Sequence, residues 1–251
     1  MILHPNPPGV IAITQSAHAL MAFQIAEHWG NRHTPRPSAR SEVLAAVMLH
    51  DSGWDRADDR PRLAPDGGVL AFDALPEGER EVIWRSSVEQ ARARGRYVAF
   101  LVSSHASHLA GALSSSPHAA FLAAEADRRE SLRASLEVDP RYAALLGKAT
   151  DTVNTSIVRL CDALAVRLAM GTRGVAEIGA LPTRRDASPL RLICAEGRLA
   201  RLDPWPLVGR SLDVTVDGRA LLRERFADEA SLHDDWTHAA DVRLTWTLRP
   251  A

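Results

Sequence analysis

The sequence predicts a mainly α protein carrying a small C-terminal β-rich element. Three observations carry that expectation. Apolar residues recur at helical spacing through the first two-thirds of the chain. Gly171, Gly174 and the tract from Pro182 to Pro189 then interrupt the pattern. Beyond them come short runs rich in β-branched residues. The organisation expected is a helical domain over residues 1–182, followed by a small β-rich element over 183–251.

Ala17, Leu20, Met21 and Ile25 set a first helix from Ile13 to Trp29, ended by Gly30-Asn31. A polar loop rich in Pro and Arg follows over 31–40. Ser41-Glu42 opens a second helix through Val43, Leu44, Val47 and Met48, which Ser52-Gly53 terminates. Residues 55–77, dominated by Asp, Arg, Pro and Gly, read as irregular, and a loop that long in a compact domain is usually functional or disordered. Helical periodicity returns over 78–93, 96–113 and 118–135, and a last strong helix runs from Leu145 to Met170. The tract from Pro182 to Pro189 reads as a linker. Strands are expected at Arg191–Ala195, Leu212–Val216 and Val242–Leu248, with a turn at Asp217-Gly218. Asp203-Pro204-Trp205-Pro206 reads as a rigid turn with an exposed or docking tryptophan.

A chain of 251 residues, 46% hydrophobic and 24% charged, can bury a sizeable core without disulfides or a structural ion. A metal, where present, is then expected for chemistry. Formal net charge is −1, so no global field draws the protein to nucleic acid or to an anionic membrane. No run approaches ~18 uninterrupted apolar residues, and no signal peptide is evident at the N-terminus. Cys161 and Cys194 form no C-x-x-C pair and fall in apolar settings, which fits a reducing compartment; a cytoplasmic protein is expected.

The chemistry lies in polar residues on apolar helix faces. Asp51 follows Val47 by four and Met48 by three, so its carboxylate points along a face that should be buried. His18 sits at the edge of the first helix's apolar arc, next to Ala17. His105 follows Leu101 by four and precedes Leu109 by four. Asp162 belongs to a helix apolar nearly all round, with Val158, Leu160, Cys161, Leu164, Val166 and Leu168. An ionised carboxylate on a buried face costs several kcal/mol unless a charge compensates it. Arg159 is one candidate for that charge, since Lys148 is the only lysine. Neutral imidazoles cannot balance carboxylates, whereas a divalent cation satisfies both residue types together. Any one inward histidine is more often a hydrogen-bonded core residue. The ordered set of His, His-Asp, His and Asp on successive helices is what points to a metal.

This set resembles the HD-domain superfamily of metal-dependent enzymes, in which one histidine, an adjacent His-Asp pair and a distant aspartate ligate a metal. The matching positions are His18, His50 with Asp51, and Asp162. In two-metal members, extra histidines hold a second ion; His105 and His108, three apart on one helix, match that role, with Asp51 bridging. The chain also resembles an uncharacterised bacterial family of HD-type proteins. The shared features are Gln15-x-x-His18, the run His50-Asp51-Ser52-Gly53-Trp54, the Ser-x-His around His105, and Asp203-Pro204-Trp205-Pro206. The resemblance implies an HD-like helical bundle. Many HD enzymes place a substrate-binding lysine three residues after the His-Asp aspartate, and here that position is Trp54. A phosphate is then met by Arg56, Arg60 or Arg62, unless these arginines merely pair with Asp55, Asp58 and Asp59 at the surface. Trp54 and Phe72 either line the pocket or belong to the core.

Three functions follow. The first is a metal-dependent phosphohydrolase acting on a small phosphate-bearing molecule, using one divalent ion (Mn, Fe, Co, Ni or Zn), with Asp51 orienting a water and His105 passing protons or holding a second ion. The second is a mixed-valent di-iron oxygenase of a small hydroxylated or phosphonate substrate, with two Fe on the same ligands, His105 and His108, and with Gln15 and Trp54 shaping the pocket. The third is a catalytically silent fold that binds a ligand. The partner expected is a small molecule, with a homo-oligomer left open. No G-x-S-x-G elbow, HExxH motif or Walker loop is present.

Overall fold

A computed structural model of the chain describes residues 1–112, 118–195 and 197–251. It replaces the expected mainly α bundle with a different architecture: about half the chain is helical, and the rest is built around one large, curled, seven-stranded sheet. The protein is therefore neither all-α nor a helical bundle with a small β appendage. The sheet has the order β1-β2-β6-β7-β5-β4-β3 and draws strands from both ends of the chain. They are β1 (Ile2–Asn6), β2 (Gly9–Ile13), β3 (Gly174–Pro182), β4 (Ala187–Cys194), β5 (Leu199–Asp203), β6 (Leu212–Leu221) and β7 (Ala240–Pro250). All neighbours are antiparallel except β5 and β7.

Of the strands that the sequence did not announce, β1, β2 and β3 each have a physical reason. The hairpin β1–β2 is five residues a side around Pro7-Pro8, too short and too Pro-rich to declare an alternation. In β3 the register shifts between Glu177 and Gly179, so the inward residues Ile178 and Leu181 stand three apart rather than two. The expected linker from Pro182 to Pro189 is the turn joining β3 to β4: Pro182 pairs with Ala187, and Thr183 N–H donates to Asp186 O at 2.7 Å.

The helices are α1 (Gln15–Glu27), α2 (Arg40–Leu49), α3 (Asp55–Asp59), α4 (Glu77–Arg92), α5 (Arg96–Ala112), α6 (Ala119–Glu137), α7 (Lys148–Ala169) and α8 (Glu229–His238). Six of them fall close to the expected spans, although Leu113, the expected end of α5, lies outside the described residues. The expected irregular stretch 55–77 contains α3 and a 3-10 turn at Phe72–Ala74, tied down where Phe72 N–H donates to Met1 O. Helix α8 begins with a capping box between Asp228 and Ser231, a signal readable in the sequence but shorter than the strong periodic runs.

One core joins the helices to one face of the sheet. Ile11 and Ile13 of β2, Val214 and Val216 of β6, and Leu244, Trp246 and Leu248 of β7 meet Met21 and Ile25 of α1 and Leu164 and Leu168 of α7. On the opposite face, Ala12 and Leu221 pack with Val69, Phe226, Leu232 and Trp236, so α8 and the 63–69 loop cover the sheet's other side. The Gln24 side chain locks α1 to β6, donating to Thr215 O at 2.9 Å and accepting from Thr215 N–H at 2.8 Å. Trp205, half-buried against the core, donates its Nε1–H to Gly209 O at 2.8 Å.

Candidate metal centre

Four helical segments converge on one point. The first helix is started by Thr14, whose hydroxyl accepts from Ala17 N–H, and by the buried carboxylate of Asp58, which accepts from Gln15 N–H at 2.5 Å. Burial pushes the Asp58 carboxyl up in pKa, against the opposing pull of the N-terminal amine and the Gln15 N–H. One turn on, His18 faces the core and is fully buried. The second helix ends at His50, whose Nδ1–H donates to Val47 O at 2.6 Å and so turns Nε2 inward. The chain then makes the 3-10 turn Ser52–Trp54, which α4 grips: Gly53 N–H donates to Ser87 Oγ at 2.9 Å, and the Gln90 side-chain amide donates to Ser52 O at 3.1 Å. That grip fixes Asp51. Asp162 projects from α7, whose buried face also carries Ile157, Val158, Cys161, Leu164 and Leu168.

His18, His50, Asp51 and Asp162 each offer one ligand atom, and these four atoms all lie within 4.8 Å of one another. The His18 and His50 Nε2 atoms are 3.3 Å apart, and Asp162 Oδ1 is 3.0 Å from the first and 3.4 Å from the second. Asp51 Oδ2 lies 3.3 Å from His50 Nε2 and 3.7 Å from His18 Nε2. Burial works against charge on His50, but the Asp51 and Asp162 carboxylates prevail and hold its pKa well above the ordinary histidine value. Burial likewise disfavours the Asp162 carboxylate, yet hydrogen bonds from His18 and His50 hold it well below the usual range. Asp51 is lowered in the same way, with His50 outweighing the cost of burial. The pocket demands positive charge, and the donor set of two imidazole nitrogens and two carboxylates fits a divalent transition metal.

His105 stands beside this cluster. Its Nε2 is 3.4 Å from Asp162 Oδ2, the oxygen turned away from His18 and His50, and its ring centroid is 5.0 Å from that of His50. Both ring nitrogens are buried without a hydrogen-bond partner. Burial pushes its pKa down to about 4, so the ring is neutral near pH 7. Since Asp162 is the carboxylate between the cluster and His105, it is Asp162, rather than Asp51, that stands where a bridging ligand would. His108 is not brought to the cluster: exposed on α5, its Nδ1 stands 3.5 Å from Arg159 Nη1.

A cavity of about 380 Å³ opens on the carboxylate side. Asp51 and Asp162 line it, as do Gln15 and Trp54, while His18 and His50 lie behind them. Phe72, Trp84, Leu109, Val166 and Met170 supply its apolar walls, and Arg80, Arg167 and Asp73 its charges. Arg56 and Arg60 do not reach it. They line a separate depression with Val82 and Ile83, and Arg62 pairs with Glu79. Nearness in sequence to Asp51 misled here, because α3 turns that segment outward. The sequence reading overlooked Arg80, Trp84 and Arg167. A signal existed for Arg167, because residues 162, 163, 166, 167 and 170 share one face of α7. Arg80 and Trp84 are placed by the packing of α4, which no local pattern declares.

Residues 1–223 match the family described as Protein of unknown function (DUF3891), and the chain belongs to that family. The match contains every candidate site residue and all strands but β7. No curated protein and no solved structure matches the chain. Among the described residues no helix is long and apolar enough to cross a membrane.

Proposed function

We propose that the protein is a metal-dependent hydrolase of HD type, acting on a small phosphate-bearing molecule. The observation that carries this reading is the placement of two carboxylates between two buried histidines and a cavity. Asp51 and Asp162 retain 6% and 8% exposure, while His18 and His50 retain 0% and 2%, so substrate meets the centre from the carboxylate side. A divalent cation held by His18, His50, Asp51 and Asp162 supplies Lewis-acid polarisation of a phosphoryl oxygen and of a water molecule. The residues of the chain do the rest. Asp51, at the cavity floor, orients the attacking water and accepts its proton as the water oxygen bonds to phosphorus. The ester P–O bond breaks, and the proton passes to the leaving alcohol. Trp54 and Phe72 exclude bulk solvent around the reacting atoms.

A second reading has its own observation. The two unpartnered nitrogens of His105, beside the free oxygen of Asp162, suit a second ion, and two irons there would support oxidation of a small hydroxylated or phosphonate substrate by dioxygen. Elemental analysis of protein purified anaerobically, without added metal, separates the two. One ion of Mn, Co, Ni or Zn per chain supports hydrolysis, and two Fe support oxidation. No ion, with none taken up on addition, would sink both and leave a ligand-binding role.

A further inference from the structure

The cavity beside Asp51 and Asp162 has a second chemical character that the candidate ligands do not use. Two arginines line it, Arg80 from α4 and Arg167 from α7. Neither takes part in an ion pair among the described residues, and Arg80 Nε is buried with no hydrogen-bond partner. Among the described residues it is the only arginine nitrogen buried in that way. A guanidinium N–H withdrawn from water and left unpaired is costly, and an oxyanion is the group that satisfies its fork. Apart from Gln15 and Asp73, the remaining walls are apolar: Trp54, Phe72 and Trp84, with Leu109, Ala163, Val166 and Met170. Aromatic walls favour a flat apolar body over a hydrated sugar or a bare ion. At about 380 Å³ the space lies near the lower end for small-molecule sites.

We infer that the ligand of this cavity is a small amphipathic oxyanion, a flat apolar body bearing a phosphate or carboxylate group, with Arg80 and Arg167 as its specificity-determining residues. The inference rests on reading the cavity as the active site, but the arginine contacts do not require the ion to be bound. The anionic group sits between the two guanidinium groups and the apolar body lies against Trp54 and Trp84.

Titration of the protein, with and without bound Mn, tests this directly. The probes are phenylphosphonate, benzoate and inorganic phosphate, followed by tryptophan fluorescence and by calorimetry. Phenylphosphonate or benzoate should bind at least about tenfold more tightly than inorganic phosphate, because only they fill the apolar walls. Preference for one of the two aryl probes assigns the anionic group as phosphate-like or carboxylate-like. Arg80→Gln and Arg167→Gln should each weaken the aryl probe by about tenfold or more while metal content stays unchanged. Equal affinity for inorganic phosphate and the aryl probes, or full affinity in both variants, overturns the inference. Arginine-dependent binding in a protein that takes up no metal would keep this inference and overturn the proposed hydrolase. Metal uptake without aryl-anion binding would do the reverse.

Discussion

The Nε2 atoms of His18 and His50 face each other at 3.3 Å, with Asp162 Oδ1 within 3.4 Å of both. Two imidazole nitrogens point at one another across a gap, with a carboxylate oxygen close to each. A shared cation relieves that arrangement most simply, and the further behaviour of the protein follows from it.

Metal should stabilise the fold. At an ion concentration one hundred times its dissociation constant, binding to the folded state alone contributes about 2.7 kcal/mol, or roughly 5–10 °C in Tm for a chain of this size. Differential scanning calorimetry before and after chelation measures this. An unchanged Tm with each of Mn, Fe, Co, Ni and Zn would argue against the centre.

Asp162→Ala removes the oxygen that both histidines share and the one that faces His105. Metal content by elemental analysis should fall to background, whereas the far-ultraviolet dichroism should keep its helical form. Retention of a full complement of ion in that variant would show that the ligands lie elsewhere.

His105→Gln keeps a polar side chain of similar reach but cannot serve as a base. Turnover of an aryl phosphate should drop by about 10²-fold or more, with the first ion still bound. Undiminished turnover together with unchanged metal content would reduce His105 to a core residue.

Gly53→Ala tests how Asp51 is held. A methyl group there would stand 2.1 Å from Ile83 O and 2.9 Å from Ser87 N, both backbone atoms of α4. Since backbone cannot step aside cheaply, the 3-10 turn must shift and carry Asp51 and Trp54 with it. Stability should fall by about 2 kcal/mol or more and metal affinity with it. A variant with wild-type metal affinity would show that Asp51 is fixed by other means.

Tyr97 gives a pH-dependent prediction. Burial pushes its phenol from 10.0 up to about 12, partly offset by the hydrogen bond from Asn154. A folded pKa raised above the unfolded one contributes stability that is fully present below pH 10 and is lost as pH rises towards about 12. Tyr97→Phe should flatten the decline in urea-unfolding stability across that window; an identical slope in the variant would exclude Tyr97 as its source.

The site was more legible in the sequence than the fold. His18, Asp51, His105 and Asp162 stood out because a polar group on an apolar helical face contradicts its surroundings, and that contradiction survives without coordinates. Helices α1, α2 and α4–α7 announced themselves by the same periodicity. The sheet did not, since its edge strands are short, proline-bearing or bulged, and since β2 pairs with β6 across some two hundred residues of chain. Asp58 shows a subtler failure. Weighed only as an alternative surface partner for Arg56, Arg60 or Arg62, it is buried instead and holds the start of α1. Its role depends on a helix forty residues upstream, which local charge counting cannot supply.

The pairing of β2 with β6 also bears on how the protein comes into being on the ribosome. Val10, Ile11 and Ala12 meet their partners Leu221, Ala220 and Arg219 only after some two hundred further residues have been translated. Until then the inward isoleucines of the first hairpin have no sheet to join. The nascent chain must carry an unfinished edge through that interval, a stage at which holding chaperones and dilute conditions should matter most for yield.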